Sequence, residues 1–243
     1  MKTKIWAHRG ASGYAPENTI ESFELAVSQQ ADGIELDVQL TKDGELVVIH
    51  DESVDRVSDG TGYVKDYTLA ELKRLNVNRP HPEYAKVQIP TLREVYEAVK
   101  ESGITVNVEL KTGIFFYPGI CGKVLELAEE LGMEDRVWYS SFNHMTLVSL
   151  KRMNPNVRTG VLYSDGWLNV AEYASRIQAD ALHPAFYNVQ YPSFMKDARE
   201  HGLAVHPWTV NDRAALEYMA KEHVDAVITN YPDRARRVLS EVE

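Results

Sequence analysis

Short apolar runs alternate with amphipathic stretches along almost the whole chain, and this alternation limits the folds that the sequence can adopt. Eight runs have the length and apolar character of strands buried on both faces, and helical patterns follow most of them. Eight strand–helix units in 243 residues match a (β/α)8 TIM barrel, which has about 250 residues. The predicted strands are Lys4–His8, Gly33–Leu40, Ile104–Leu110, Val137–Ser140, Arg158–Leu162, Ala179–Leu182, Leu203–Pro207 and Asp225–Thr229.

The fold class is therefore α/β with a parallel sheet. A doubly wound open sheet is the alternative, but no glycine-rich fingerprint follows the first strand. Residues 51–89 interrupt the alternation, because they are polar and contain several glycines and the sequence RPHP. We expect one TIM-barrel domain over residues 1–243, with residues 51–89 as a small insertion after the second strand, beside the barrel mouth.

Local sequence signals predict where several helices begin and end. Thr91 and Glu94 have the spacing of a capping box, which predicts a helix that starts after Thr91. Gly103 is placed to end that helix, because glycine tolerates the left-handed conformation there. Asn18 and Asn211 are the predicted N-caps of two further helices.

Composition and charge exclude several classes of function. Asp and Glu outnumber Lys and Arg by 36 to 26, and a net charge of −10 argues against a general nucleic-acid binder. Cys121 is the single cysteine, so it forms no internal disulfide and is predicted to be inert. No apolar run approaches the roughly 20 residues of a transmembrane helix. The N-terminus lacks the apolar stretch of a signal peptide, so we expect a cytoplasmic location. The oligomeric state stays open, a homodimer included.

Two of the predicted strands carry polar or charged residues at every second position. Glu35 and Asp37 share one face of their strand, and Glu109 and Lys111 share one face of another. A half-exposed antiparallel strand gives the same alternation, but helices flank both strands here, so the polar faces are predicted to point into the barrel. Inward carboxylates repel one another and are costly to desolvate unless a cation neutralises them. Glu35, Asp37 and Glu109 therefore form a candidate site for one divalent cation, Mg²⁺ or Ca²⁺.

A hairpin signal at Asp43-Gly44 leads into the run that ends at His50. A two-residue loop over Asp43-Gly44 puts His50 opposite Asp37, and a four-residue loop puts it opposite Glu35. A three-residue loop shifts the pairing by one residue and turns His50 to the other face of the strand. Two of the three registers thus bring His50 to the predicted carboxylates.

His8 and His50 each close an apolar run, and in a TIM barrel the active site lies at the carboxyl ends of the strands. An imidazole at such a site exchanges protons near neutral pH, as general acid–base catalysis requires. Arg9 and Lys111 add positive charge beside the carboxylates. Three carboxylates, one divalent cation and two basic residues suit a phosphodiester, which carries one negative charge.

The order and spacing of these residues, with others along most of the chain, resemble the glycerophosphodiester phosphodiesterase family. Together the motifs are specific, although each alone is weak. They are His8-Arg9-Gly10, Pro16-Glu17-Asn18-Thr19 with Ser22-Phe23, Glu35-Leu36-Asp37-Val38, the Asp43-Gly44 turn leading to His50-Asp51, Asn107-Val108-Glu109-Leu110-Lys111, Ser140-Ser141-Phe142 and Trp208-Thr209-Val210-Asn211.

The resemblance implies a TIM barrel with a small insertion after the second strand and roles for the candidate residues. Glu35, Asp37 and Glu109 would be metal ligands, His8 and His50 the acid–base pair, and Arg9 and Lys111 the phosphate-binding residues. It also implies hydrolysis of deacylated phospholipids to glycerol 3-phosphate through a cyclic phosphate. We favour His8 as the base and His50 as the acid.

Four other positions complete the expectations for the site. Asn230 stands where the family usually has an acidic residue, so it brings a hydrogen-bond acceptor without charge. Trp208 follows the seventh predicted strand, where its ring would pack either on substrate carbons or on the rim. His206 is placed near Trp208 at the rim, whereas the apolar loop Phe115–Tyr117 packs on the protein or contacts an acyl chain, a leaving group or a partner subunit.

Two other functions compete with hydrolysis of deacylated substrates. The apolar loop after the Glu109 strand favours a related enzyme that acts on lysophospholipids and releases a cyclic phosphate. A non-catalytic barrel that binds metal or phosphate is the other alternative, and the presence of both histidines argues against it.

Overall fold

The structure is a computed structural model that describes residues 2–242. Its strands are β1 (Lys4–His8), β2 (Gly33–Leu40), β3 (Leu46–Val48), β4 (Thr105–Leu110), β5 (Val137–Ser141), β6 (Arg158–Tyr163), β7 (Ala181–Pro184), β8 (Ala204–Val205) and β9 (Ala226–Thr229). Its α-helices are α1 (Ile20–Ser28), α2 (Leu69–Leu72), α3 (Leu92–Val99), α4 (Ile120–Leu131), α5 (His144–Met153), α6 (Val170–Arg176), α7 (Phe194–Glu200), α8 (Arg213–Glu222) and α9 (Pro232–Val242). Short 3-10 segments lie at Val64–Asp66, Lys100–Ser102, Glu134–Arg136 and Phe186–Gln190.

Eight of the strands form a parallel barrel in the neighbour order β8-β7-β6-β5-β4-β2-β1-β9. Backbone hydrogen bonds join the two ends of this order: the Asp225 N–H donates to the Val205 carbonyl at 3.1 Å, and the Ile228 N–H donates to the Pro207 carbonyl at 2.9 Å. β3 lies outside the ring and pairs antiparallel with β2. The predicted (β/α)8 barrel is therefore confirmed, and the open doubly wound sheet is excluded.

The predicted strand bounds hold for β1 and β2, and the other predicted strands are wrong by one or two residues at one or both ends. β8 is reduced to Ala204–Val205, because Pro184 of β7 has no N–H to donate to the next step of the ladder. The His206 and Trp208 N–H groups still donate to the Leu182 and Pro184 carbonyls at 2.9 and 3.0 Å. β7 begins at Ala181 instead of Ala179, because the Ala179 N–H donates back to the Ala174 carbonyl at the end of α6.

The alternation in β2 separates an apolar face from a charged face, as expected. Ile34 and Leu36 are fully buried in the main apolar core, which also contains the inward residues of the surrounding helices. Glu35 and Asp37 alternate with them and belong to the opposite face. Packing of the apolar face under the helices thus directs the carboxylates into the barrel.

The capping box at the start of α3 is confirmed. Thr91 Oγ1 accepts a hydrogen bond from the Glu94 N–H at 3.2 Å, and Glu94 Oε2 accepts one from the Thr91 N–H at 2.7 Å. The predicted end of this helix is wrong in detail, because α3 ends at Val99 and the chain continues into the 3-10 segment Lys100–Ser102. Gly103, with φ of +74°, ends that segment instead.

Asn18 and Asn211 are not the N-caps that the sequence suggested, since Thr19 caps α1 and Asp212 caps α8. Both asparagines instead make contacts with strands. The Asn18 amide donates to Asp37 Oδ2 at 2.8 Å, and Asn211 Oδ1 accepts from the backbone N–H that follows β9 at 2.9 Å. In each case the neighbouring residue caps the helix, which frees the asparagine for a long-range bond.

The hairpin between β2 and β3 has the three-residue loop, which is the one register of the three that does not bring His50 opposite a carboxylate. Leu40 pairs with Leu46, and the Thr41 N–H donates to the Glu45 carbonyl at 3.0 Å, so three residues form the loop. Thr41 Oγ1 fixes this register by accepting the Glu45 N–H at 2.9 Å. In this register neither predicted pairing of His50 forms, so both are wrong. His50 also lies beyond the end of β3, which is Val48.

The segment between β3 and α3 has a small apolar cluster that is separate from the main core. Its members are Val47 of β3 and, in the segment itself, Ile49, Val54, Val57, Val64, Leu72, Val77, Val87 and Ile89. The organisation as one domain with an insertion at residues 51–89 stays a prediction. Within residues 2–242, no helix is long and apolar enough to cross a membrane.

Candidate active site

Three carboxylates meet inside the barrel near the carboxyl ends of β2 and β4. Asp37 of β2 lies opposite Glu109 of β4, while Glu35 precedes Asp37 by two residues on the same face. One oxygen from each of the three lies within 4.8 Å of the other two, and all three residues are buried. The structure thus brings together the predicted acidic set.

The carboxylates differ in their electrostatic surroundings. Burial and the charges of Asp37 and Glu109 raise the pKa of Glu35 well above its usual value, and burial with Asp37 raises the pKa of Glu109. Burial also opposes ionisation of Asp37, but Arg9, His50 and Lys111 outweigh it and lower its pKa to about 2. Without a further cation, the three groups do not ionise together readily.

These residues fit a divalent metal ion. They supply hard carboxylate oxygens, the ligands that Mg²⁺ and Ca²⁺ take in proteins. Asp37 Oδ1 is buried and has no hydrogen-bond partner among the described residues, so it is available as a ligand. A bound cation would also supply the positive charge that the raised pKa values of Glu35 and Glu109 call for.

Two basic side chains border the carboxylates. Arg9 Nε lies 3.4 Å from Asp37 Oδ2, and Arg9 Nη1 donates to Glu17 Oε1 at 3.0 Å. Lys111 Nζ donates to Glu109 Oε1 at 3.1 Å and lies 3.9 Å from Asp37 Oδ1. Both cations are therefore adjacent to the predicted metal position, where a phosphate would need them.

His8 lies between an amide and a carboxylate. Its Nδ1 is 2.7 Å from Asn230 Oδ1, and its Nε2 is 4.0 Å from Glu35 Oε2. Because an amide oxygen only accepts, Nδ1 carries the proton and Nε2 keeps a free lone pair. Burial, followed by the charge of Arg9, lowers the pKa of His8 to about 4, so the ring is neutral at pH 7.

His50 reaches the site after the chain leaves β3. It is close enough to Asp37 and Glu109 for its charge to lower the pKa of both. Its Nδ1 lies 2.5 Å from Asp51 Oδ1, and this hydrogen bond is the main reason that the pKa of Asp51 is lowered. Asp51 thus orients the ring of His50.

Trp208 is half-buried, and its Nε1 donates to the His183 carbonyl at 2.9 Å. Its ring also contacts Phe142 edge-on, with centroids 5.6 Å apart. The expected rim position of His206 is wrong: this residue is 3% exposed, and its ring lies 4.4 Å from the ring of Trp6. His206 instead lies in the barrel interior, where its ring packs against Trp6 of β1 and Trp138 of β5.

The apolar loop after β4 divides between buried and exposed residues. Tyr117 is buried and donates from Oη to Gln39 Oε1 at 2.9 Å. Phe115 packs edge-on against Tyr63 at 5.5 Å. Phe116 is 74% exposed, so only part of this loop has the packing role that the sequence allowed.

Sequence reasoning missed two residues that support the site. Asn18 looked like a helix cap, but it donates to Asp37 and accepts from the Asp37 N–H at 3.3 Å. Arg56 lies in the polar stretch predicted as an insertion, yet it binds both Glu17 and Asp51. Asp51 could have been suspected because it follows His50 directly in the sequence. No sequence feature near Arg56 indicated its contacts with Glu17 and Asp51.

The chain is similar to known proteins over nearly its whole length. The sequence model of the glycerophosphoryl diester phosphodiesterase family matches residues 8–234. A glycerophosphodiester phosphodiesterase from Caldanaerobacter subterraneus subsp. tengcongensis is 46% identical over 234 residues, which cover 96% of each chain. One from Bacillus altitudinis is 41% identical, over 99% of this chain and 100% of its own. The solved structure of an Oleispira antarctica phosphodiesterase in complex with the product sn-glycerol-3-phosphate is 31% identical, with a TM-score of 0.90 and coverage of 98% of this chain and 97% of that one.

The barrel and its relatives define an enzyme that hydrolyses phosphoric diesters. The chain belongs to the glycerophosphoryl diester phosphodiesterase family, so the resemblance seen in its motifs is confirmed. Glycerophosphodiester phosphodiesterase is accordingly its class of activity, and the alternative of a non-catalytic barrel loses its support.

Proposed function

We propose that this enzyme hydrolyses deacylated phospholipids, such as glycerophosphocholine or glycerophosphoethanolamine, to glycerol 3-phosphate and an alcohol, with one Mg²⁺ or Ca²⁺ ion. The observation that carries the proposal is the buried set Glu35, Asp37 and Glu109 with His8 and His50 close to it. The relative that binds sn-glycerol-3-phosphate as its product supports the same kind of product here.

Each group in the site has a distinct task in this proposal. Glu35, Asp37 and Glu109 hold the cation, which when bound polarises a non-bridging phosphate oxygen. Arg9 and Lys111 donate charge-assisted hydrogen bonds to the phosphate. The ring of Trp208 packs against the glycerol carbons.

The first step moves one proton through each histidine. His8 Nε2 removes the proton from the glycerol 2-hydroxyl as its oxygen attacks phosphorus. The bond between phosphorus and the head-group oxygen breaks, and His50 gives a proton to that oxygen. A cyclic glycerol phosphate and a free alcohol result. His8 suits the role of base because Asn230 engages Nδ1 and leaves Nε2 free.

The second step reverses the roles of the two histidines. His50, now neutral, removes a proton from the water that attacks phosphorus. The ring P–O bond breaks, and His8 returns its proton to the 2-oxygen. Glycerol 3-phosphate leaves, and both rings regain their starting protonation.

Product analysis on a panel of glycerophosphodiesters tests this proposal. We expect glycerol 3-phosphate and the matching alcohol, loss of turnover with a chelator, and recovery with Mg²⁺ or Ca²⁺. Glu35→Gln should abolish turnover, whereas Glu97→Gln, an exposed position on α3, should not change it. Turnover that persists in chelator, or in Glu35→Gln, contradicts the assignment of the carboxylates.

A lysophospholipid substrate is the second candidate, and exposed apolar side chains favour it. Ile114 and Phe116, in the loop after β4, are 67% and 74% exposed and follow Lys111 closely. Turnover of lysophosphatidylcholine should exceed that of glycerophosphocholine and fall in Phe116→Ser. Equal turnover of the two substrates removes this candidate.

A further inference from the structure

We propose that Arg56, in the segment between β3 and α3, is a positioning residue that holds Glu17 and Asp51 and through them sets the places of Arg9 and His50. The inference rests on the roles proposed above for Arg9 and His50. It adds to them a residue whose side-chain hydrogen bonds, within the described part of the chain, go to Glu17 and Asp51 and not to the three carboxylates of the proposed metal site.

Every nitrogen of the Arg56 guanidinium is engaged by a carboxylate. Nη1 and Nη2 donate to the two oxygens of Glu17 at 2.8 and 2.7 Å. Nε and Nη2 donate to the two oxygens of Asp51 at 2.6 and 3.1 Å. Arginine makes such paired contacts with carboxylates because its planar donors match their geometry, whereas lysine offers only a point charge.

Each of these two carboxylates also accepts a hydrogen bond from a residue of the site. Glu17 Oε1 also accepts the hydrogen bond of Arg9 Nη1 at 3.0 Å, and Asp51 Oδ1 accepts that of His50 Nδ1. A continuous chain of contacts therefore joins the loop after β1 to the turn after β3. Arg56 is the middle of this chain and the only member that contacts both carboxylates among the described residues.

The charges explain why the site needs this residue. Burial opposes ionisation of Glu17, but hydrogen bonds from Arg56 and the charge of Arg9 lower its pKa. Without Arg56, and counting the described residues, Glu17 would keep the ion pair with Arg9 alone, and Asp51 would keep the one with His50 alone. Glu17 and Asp51 would then be free to move, and Arg9 and His50 would move with them. A displacement of about 1 Å lowers the rate by as much as about 10²-fold.

Arg213 offers a matched control. It is exposed, and it also binds two carboxylates, Glu217 at 2.7 Å through Nε and Glu241 at 2.6 Å through Nη2. It lies at the start of α8 and, within residues 2–242, forms no hydrogen bond or ion pair with the site residues named above. Arg213→Gln therefore removes a similar number of ion pairs without touching the proposed chain of contacts.

The experiment compares Arg56→Gln, Arg56→Lys and Arg213→Gln in the full-length enzyme with Mg²⁺ and glycerophosphocholine. We expect kcat to fall about 10- to 100-fold in Arg56→Gln, to recover only in part in Arg56→Lys, and to stay unchanged in Arg213→Gln. The melting temperatures of Arg56→Gln and Arg213→Gln should be alike. Unchanged kcat in Arg56→Gln overturns the proposal, and so does full recovery in Arg56→Lys.

A second readout separates this inference from the proposed function. Ring-nitrogen NMR shifts of His50, assigned with His50→Gln, should show a proton on Nδ1 in the wild type and in Arg213→Gln. They should change in Arg56→Gln, because Asp51 is then no longer held. If the wild type hydrolyses no glycerophosphodiester, the proposed function fails, while an unchanged His50 spectrum in Arg56→Gln overturns the positioning role alone.

Discussion

Two pairs of histidines lie in this barrel, and their surroundings differ sharply. At the mouth, His8 bonds to Asn230 and His50 bonds to Asp51, and both are near the acidic set. In the interior, His183 and His206 bond to each other at 2.9 Å. Both interior rings are fully or almost fully buried and lie beside the indole of Trp6.

The difference shows how surroundings decide what an imidazole does. Burial without a charged partner lowers the pKa of His183 to about 3, and burial with His183 lowers that of His206. Such rings stay neutral and fill space in the barrel interior, away from solvent. The mouth pair is also partly enclosed, but each ring has an acceptor that fixes one nitrogen, and the proton transfers that we propose use the other nitrogen.

The largest expected effect is on catalysis at the mouth. His8→Ala and His50→Ala should each lower kcat for glycerophosphocholine by about 10²- to 10⁴-fold, the usual contribution of a general acid or base. The melting temperature should change little, because neither ring belongs to the apolar core. His201→Ala, at an exposed position, is the matched control. A loss below about tenfold in both mouth variants would remove the contrast between the two pairs.

Acid should destabilise the fold through buried neutral histidines, which include the interior pair as well as His8. Their rings take up protons in the unfolded chain below about pH 6.5 but stay neutral in the folded chain to far lower pH, so the unfolded state binds more protons. Stability is thus complete above that pH and falls as pH drops toward about 3. One such ring costs about 1.4 kcal/mol per pH unit, or about 3 kcal/mol at pH 4.5.

Denaturant unfolding of the wild type and of His206→Leu between about pH 7 and pH 4.5 measures this effect. The variant lacks one buried ring, so its free energy of unfolding should fall less steeply, by about 1.4 kcal/mol per pH unit. For each protein the free energy of unfolding is expressed relative to its own value at pH 7. Any loss of packing in His206→Leu then does not affect the comparison of the two pH slopes. Parallel curves for the two proteins would mean that the interior rings accept protons in the folded state.

The strands and the acidic set were readable from the sequence because they depend on local alternation. Glu35 and Asp37 had to share a face once β2 packed its apolar side under helices, and Glu109 followed from the same pattern in β4. The roles of all the site residues stay predictions, as do the cytoplasmic location and the single-domain organisation.

Contacts between distant segments were not readable. Thr41 set the hairpin register with its own hydroxyl, and Thr19 displaced Asn18 as the helix cap. Arg56 meets Glu17 across 39 positions of sequence, and no local pattern encodes such a pair. The interior position of His206 depends on how eight strands close, which a single apolar run does not specify.

The smallest expected effect concerns the acceptor that distinguishes His8 from the interior rings. Asn230→Ala removes the bond to Nδ1, and one hydrogen bond contributes about 0.5–1.5 kcal/mol, so kcat should fall by about two- to thirteenfold. Asn230→Asp keeps an acceptor at that position and should retain most of the activity, although it adds the charge that this chain lacks. Steady-state kinetics of both variants decide the matter. If Asn230→Ala has the same kcat as the wild type, the hydrogen bond from Nδ1 to Asn230 does not prepare Nε2 for catalysis. The acceptor would then not be what distinguishes His8 from the interior histidines.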